Sequence, residues 1–60
     1  MVIIEVELPD DQALALAQFL KRVGYNDYRE LAVDQQQAYE MVDAGEKVRA
    51  ALADKGYAPR

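Results

Sequence analysis

Four carboxylates fall within seven residues near the start of the chain, in the stretch EVELPDD at residues 5–11. Glu5, Glu7, Asp10 and Asp11 have no base among them, and the first basic residue is Lys21. Grouped carboxylates can do three kinds of chemistry. Two of them can divide general-acid and general-base work when their environments differ. Several can ligate a hard cation such as calcium or magnesium. A row of them can present negative charge to a basic partner. The rest of the chain argues against the first two. It has no histidine and no cysteine, and neither serine nor threonine occurs in it. The usual nucleophiles and the commonest general base are therefore absent. Asp10 and Asp11 are adjacent, and a helix start explains them. No loop carries the spaced acids of an EF-hand, and the three glycines are too scattered for a phosphate-cradling loop. The expectation is a protein that is not an enzyme and uses neither cofactor nor metal.

The third use of the acids fits the charge distribution. Residues 1–20 carry four acids and no base, whereas residues 21–60 carry seven of each. The whole net charge of −4 therefore lies at one end. Nucleic-acid binding relies on neutralising phosphates, so direct binding to DNA or RNA is not expected. A protein with a basic surface is the better match.

These acids must be positioned by a small number of elements. Residues 2–8, VIIEVEL, read as a strand: Ile4, Val6 and Leu8 alternate with Ile3, Glu5 and Glu7. That register sends both glutamates to solvent. Residues 10–23 read as a helix, with Asp10 as N-cap after Pro9 and Asp11 in the first turn. Leu16, Phe19, Leu20 and Val23 form its expected core stripe. Lys21 and Arg22 suit its last turn, and Gly24 its C′ position. Residues 35–55 read as a long helix opened by Asp34 and Gln37, a D-x-x-Q capping box. Its stripe is Ala38, Met41, Val42, Gly45, Val48 and Leu52. Gly45 costs about 1 kcal/mol against alanine in a helix interior, so another backbone is expected close to it. Asp43 with Lys47 and Glu46 with Arg49 are expected surface pairs.

The trio Val23-Gly24-Tyr25 is echoed by Lys55-Gly56-Tyr57. Each reads as a Schellman ending, with Tyr25 clasping Leu20 and Tyr57 clasping Leu52. Residues 27–33 stay open between a strand and a short helix capped by Asn26, the helix being favoured. The choice matters. If the segment is helical, the N-terminal strand has no partner within the chain, and it must pair with a second copy or another protein.

The opening VELPDDQALALAQFLKRVGYNDYREL resembles a ribbon-helix-helix repressor, over about half the chain. That resemblance implies a dimer in which two strands form a ribbon, and a regulator or antitoxin role. The family's outward strand positions are basic or neutral polar, whereas here they are Ile3, Glu5 and Glu7. LAQFLKRVGYNDYR, AVDQQQAYEM and GYAPR resemble short uncharacterised proteins of proteobacterial mobile elements and prophages. That setting includes small acidic anti-CRISPR proteins, so the resemblance implies an inhibitor of a nucleic-acid-binding protein, acting as a DNA mimic.

Sixty residues make one small domain spanning 1–60, buried too little to be more than marginally stable. Disulfides and histidine-bound metals being excluded, oligomerisation is the remaining staple, and a homodimer is one form of it. The segment VIIEVEL is too short and too acidic for a secretory leader, no apolar run reaches a membrane span, and a cytoplasmic setting is expected. The expected fold is α+β and mostly helical: strand 2–8, helix 10–23, short helix or strand 27–33, helix 35–55. The expected function is a non-catalytic protein-binding module. Its acidic face comprises Glu5, Glu7, Asp10, Asp11, Asp27 and Glu30.

Overall fold

The computed structural model describes residues 1–59 and holds three helices among them: α1 (Asp10–Arg22), α2 (Tyr25–Leu31) and α3 (Gln35–Asp54). No strand forms among the described residues, so the α+β expectation is corrected to all-α. Residues 1–9 hold no helix, strand, turn or bend, and their alternation alone does not make a strand. A strand needs a ladder partner, and no backbone hydrogen bond is made by residues 1–8. The segment that could have supplied one, residues 27–33, is occupied by α2 instead. The strand alternative for that segment falls with it.

Helix α3 is the platform, packing against both α1 and α2. It starts at its expected N-cap, though only half of the expected capping box forms, since Gln37 reaches past Asp34 to Val33. Asp34 accepts from the Gln37 backbone N–H at 2.8 Å, and Gln37 Oε1 reaches back to accept from Val33 N–H at 2.8 Å. Helix α1 begins at Asp10 itself, with Pro9 extended before it and no side-chain cap. The expected N-cap role of Asp10 is therefore corrected: it is the first helical residue and its carboxylate bonds elsewhere. Asp10 and Asp11 at the first turn and Lys21 and Arg22 at the last still match the helix dipole.

The core is small. Ala13, Ala17, Leu20 and Ala38 are buried, and all are apolar. The α1 face that meets α3 is thus Ala13, Ala17 and Leu20, spaced i, i+4, i+7. The expected stripe was one residue off: Leu20 is right, Leu16 and Val23 are half-buried, and Phe19 is 59% exposed. Small residues at a helix contact let the backbones approach closely, so alanines take the seam and the larger residues fall to its sides. On α3 the expected stripe holds better, with Ala38 buried, Met41, Val42, Gly45 and Leu52 half-buried, and Val48 exposed.

Gly45 is approached closely, though by a side chain and not by the expected backbone. A Cβ there would collide with the Tyr28 hydroxyl and lie 3.6 Å from Leu20 Cδ2. The glycine is the slot that lets α2 seat its tyrosine on α3. Among the described residues the one ion pair is Glu46 with Arg49 at 3.8 Å, and the expected Asp43 with Lys47 pair does not form.

The two glycine-tyrosine trios diverge. Gly56 takes φ +97°, Tyr57 N–H bonds Leu52 O at 2.9 Å, and Gly56 N–H bonds Ala53 O at 3.0 Å. That is a Schellman ending. Gly24 has φ −110° and starts α2: its N–H donates to Asp27 Oδ2 at 2.8 Å, and Asp27 N–H donates to Gly24 O at 3.1 Å. The expected Asn26 cap and the Tyr25 clasp on Leu20 are both corrected by this restart. Tyr25 instead packs its ring on Tyr39, centroids 5.2 Å apart.

The molecule measures 33 × 28 × 15 Å. Its radius of gyration is 12.2 Å, against about 10.4 Å for a compact chain of this length.

Candidate functional site

The six predicted site acids separate by element. Glu5 and Glu7 lie on the extended arm, Asp10 and Asp11 in the first turn of α1, and Asp27 and Glu30 on α2. All six are exposed. Three already have local hydrogen-bond work. Asp10 Oδ1 accepts from the Tyr57 hydroxyl at 2.5 Å, tying the end of the chain to the start of α1. Asp27 caps α2 through Gly24 N–H, and Asp11 Oδ1 accepts from Gln12 N–H at 3.0 Å. Glu5, Glu7 and Glu30 make no such bond or ion pair among the described residues. Nowhere among the described residues do three acids converge into a group able to hold a metal ion.

The Tyr57 link was not read from the sequence, since nothing local joins residues 47 apart. It has an electrostatic consequence. The hydrogen bond to Asp10, with some desolvation and the nearby negative charge, raises the Tyr57 phenol above its ordinary 10.0.

The arm carries more than its acids. Ile3, Ile4 and Val6 are 88%, 72% and 69% exposed, and only Leu8, next to α1, is substantially covered. The arm does not float free of the body. Ile4, Glu5, Val6 and Leu8 line one side of an open groove whose floor is Leu16 of α1 with Val48 and Leu52 of α3. Glu5 joins the even-numbered arm residues there, so the groove draws on both faces of the expected alternation. A second apolar groove lies among Phe19, Tyr28, Leu31 and Met41, where α1, α2 and α3 meet. Leu31 on its rim is 82% exposed.

Asp27 and Tyr28 also line this second groove, and Glu5 and Lys55 line the groove beside the arm. No buried side-chain polar atom is left without a partner among the described residues. The arm itself holds open backbone N–H and C=O groups, exposed apolar side chains and two glutamates.

The family comparison adds no chemistry. The chain belongs to the DUF7706 family of unknown function, whose pattern matches residues 1–60. No curated protein and no solved structure matches it. No helix among the described residues is long and apolar enough to cross a membrane.

Proposed function

We propose that this chain is a non-catalytic protein-binding module whose working element is the extended arm at residues 1–8. The observation that carries the reading is the arm itself. It holds no secondary structure, makes no backbone hydrogen bond at residues 1–8 among the described residues, and keeps Glu5 and Glu7 free of any counter-ion among them. Glu5 and Glu7 face a basic surface on the target, and Asp27 and Glu30 extend the negative field from α2. Such charges chiefly set association rate, salt dependence and choice of partner. The inhibitor form of this reading, a DNA mimic from a mobile element that blocks a nucleic-acid-binding protein, rests on the −4 net charge and its placement. A cytoplasmic setting belongs to the same proposal and rests on the lack of cysteine.

The test is charge reversal on the arm. Proteins retained by the immobilised chain are purified, and their affinity is measured for the native chain and for the Glu5→Lys/Glu7→Lys variant. The reading expects roughly a tenfold or greater loss with the variant, and a steep dependence on salt in the native chain. A target that binds both proteins equally contradicts the acidic-face reading.

A further inference from the structure

The groove beside the arm has two unlike walls. One is the arm, through Ile4, Glu5, Val6 and Leu8. Residues 1–8 make no backbone hydrogen bond among the described residues, so this wall offers open N–H and C=O groups. The other wall is α3 with its C-cap, where Val48, Ala51, Leu52 and Lys55 follow one another at i, i+3, i+4 and i+7 on a single stripe. Leu16 of α1 lies between them. The groove encloses about 750 Å³, a volume within the usual range of ligand sites.

Its lining holds one charge of each sign, Glu5 and Lys55, and neither is in an ion pair among the described residues. Their places differ. The Tyr57 hydroxyl on Asp10 sets the end of α3 beside the root of the arm. Lys55 therefore stands at the root, and Glu5 lies farther out along the arm.

These walls select the occupant. A helix has closed its own backbone hydrogen bonds and would use the apolar wall alone. An extended chain uses both walls: one backbone edge bonds the arm, and alternate side chains fall on Leu16, Val48 and Leu52. From Val48 to Lys55 the α3 wall is about 10 Å long, room for about three residues of extended chain. A second copy of the arm would bring two more glutamates to an arm that already carries two, and like charges across a strand pair are destabilising. A segment that carries a base is the better match.

We propose that the target protein lays an extended segment into this groove, apolar at alternate positions, with lysine or arginine beside Glu5 and an acid beside Lys55. The segment bonds the arm as a strand, so that each orders the other. Resting on the arm as the working element, this docking puts apolar and backbone contacts at the centre of recognition and leaves charge to set the alignment.

The test uses the full chain and a blocked hexapeptide in which three valines alternate with lysine, threonine and glutamate. Binding is followed by NMR titration of backbone amides and side-chain methyl groups. The expected result is saturable binding at up to millimolar peptide, with shifts concentrated at residues 4–8, Leu16, Val48 and Leu52. Two forms of the peptide are then N-methylated at alternate amides, one on each edge. The form blocked on the paired edge should bind roughly tenfold more weakly than the other. Val48 is 39% exposed, so Val48→Asp should keep its helical circular dichroism while losing the peptide. No saturable binding overturns the proposal. Equal binding of the two N-methylated forms overturns the backbone pairing, and binding that Val48→Asp leaves intact overturns the groove. Targets retained by the immobilised chain separate this docking from the acidic-face reading. Affinity lost with Glu5→Lys/Glu7→Lys but kept with Val48→Asp removes the groove docking and leaves the acidic face standing. The reverse pattern removes the acidic-face reading and supports the groove docking.

Discussion

The arm and the helical body are both amphipathic, yet one is complete and the other is not. In the body, α1 turns Ala13, Ala17 and Leu20 inward and is satisfied by one neighbour, α3. A helix closes its own backbone hydrogen bonds, so it needs company only for its apolar stripe. In the arm, the alternation of Ile4, Val6 and Leu8 with Glu5 and Glu7 is as regular as any in the chain. A strand, however, leaves its N–H and C=O groups to another strand. None forms among the described residues. The lesson is that an alternating pattern can favour a strand without supplying the ladder that stabilises one.

The difference can be broken most severely at Leu20. It is the largest of the four buried residues, and Leu20→Ala should cost about 3 kcal/mol, within the range for large-to-small core changes. Thermal unfolding followed by circular dichroism should show a broad, early transition. Ile4→Ala in the same assay, at dilutions where the chain is monomeric, should leave the curve unchanged. Comparable losses from both would mean that the arm is part of the body after all.

Gly45 sharpens the comparison within the body. Gly45→Ala gains helix propensity but drives a Cβ into the Tyr28 hydroxyl, and overpacking of this kind costs about 1–3 kcal/mol. The net effect should be destabilising. Tyr28→Phe removes the obstructing atom, so the double variant should be more stable than Gly45→Ala alone. Additive losses in that cycle would show that the hydroxyl is not what excludes the methyl group. Asp34→Ala comes next. It removes the acceptor for Gln37 N–H and should lower stability by about 1 kcal/mol, as cap removals do, with chemical denaturation as the readout.

The smallest effect belongs to the Tyr57 clasp on Asp10. Its phenol is raised above 10.0 because the hydrogen bond and the neighbouring carboxylate favour the protonated form. A group raised in the folded state contributes its stability in full below its unfolded pKa. That contribution is lost as pH climbs through the raised value. Melting temperature should therefore fall slightly more steeply above pH 10 in the native chain than in Tyr57→Phe. Phenolate absorbance should show one tyrosine titrating late. Identical alkaline profiles for the two proteins would mean that the clasp contributes nothing in solution.

How much of this was legible depended on whether the deciding contact was local. The start of α3 was readable because Asp34 and Gln37 carry their own cap within one turn. The end of α3 was readable because Gly56 and Tyr57 close its last turn locally, through Gly56 N–H on Ala53 O and Tyr57 N–H on Leu52 O. Gly24 looked alike but has Asp27 three residues on, whose carboxylate takes the Gly24 N–H and opens α2. That signal was present and was outweighed by the echo between the two trios. The core seam of α1 was misplaced because hydrophobic size pointed to Phe19, whereas close helix packing chose Ala13 and Ala17. The slot at Gly45 was legible as a close approach, but not which group would fill it. The acids were legible as charge and not as geometry: Asp10 is held by a residue 47 positions away. The arm's alternation was legible, and so was the conditional that a helical α2 would leave it unpaired. The fold class still failed, because a strand is defined by a ladder partner and none lies among the described residues.

The most direct test of the account is amide hydrogen exchange across residues 2–8 of the full chain, alone and with a retained target protein added. The account predicts free exchange of the arm amides in the chain alone and their protection when the target is bound. Free exchange at every arm amide in the complex would contradict it, because the target would then be held by some other surface.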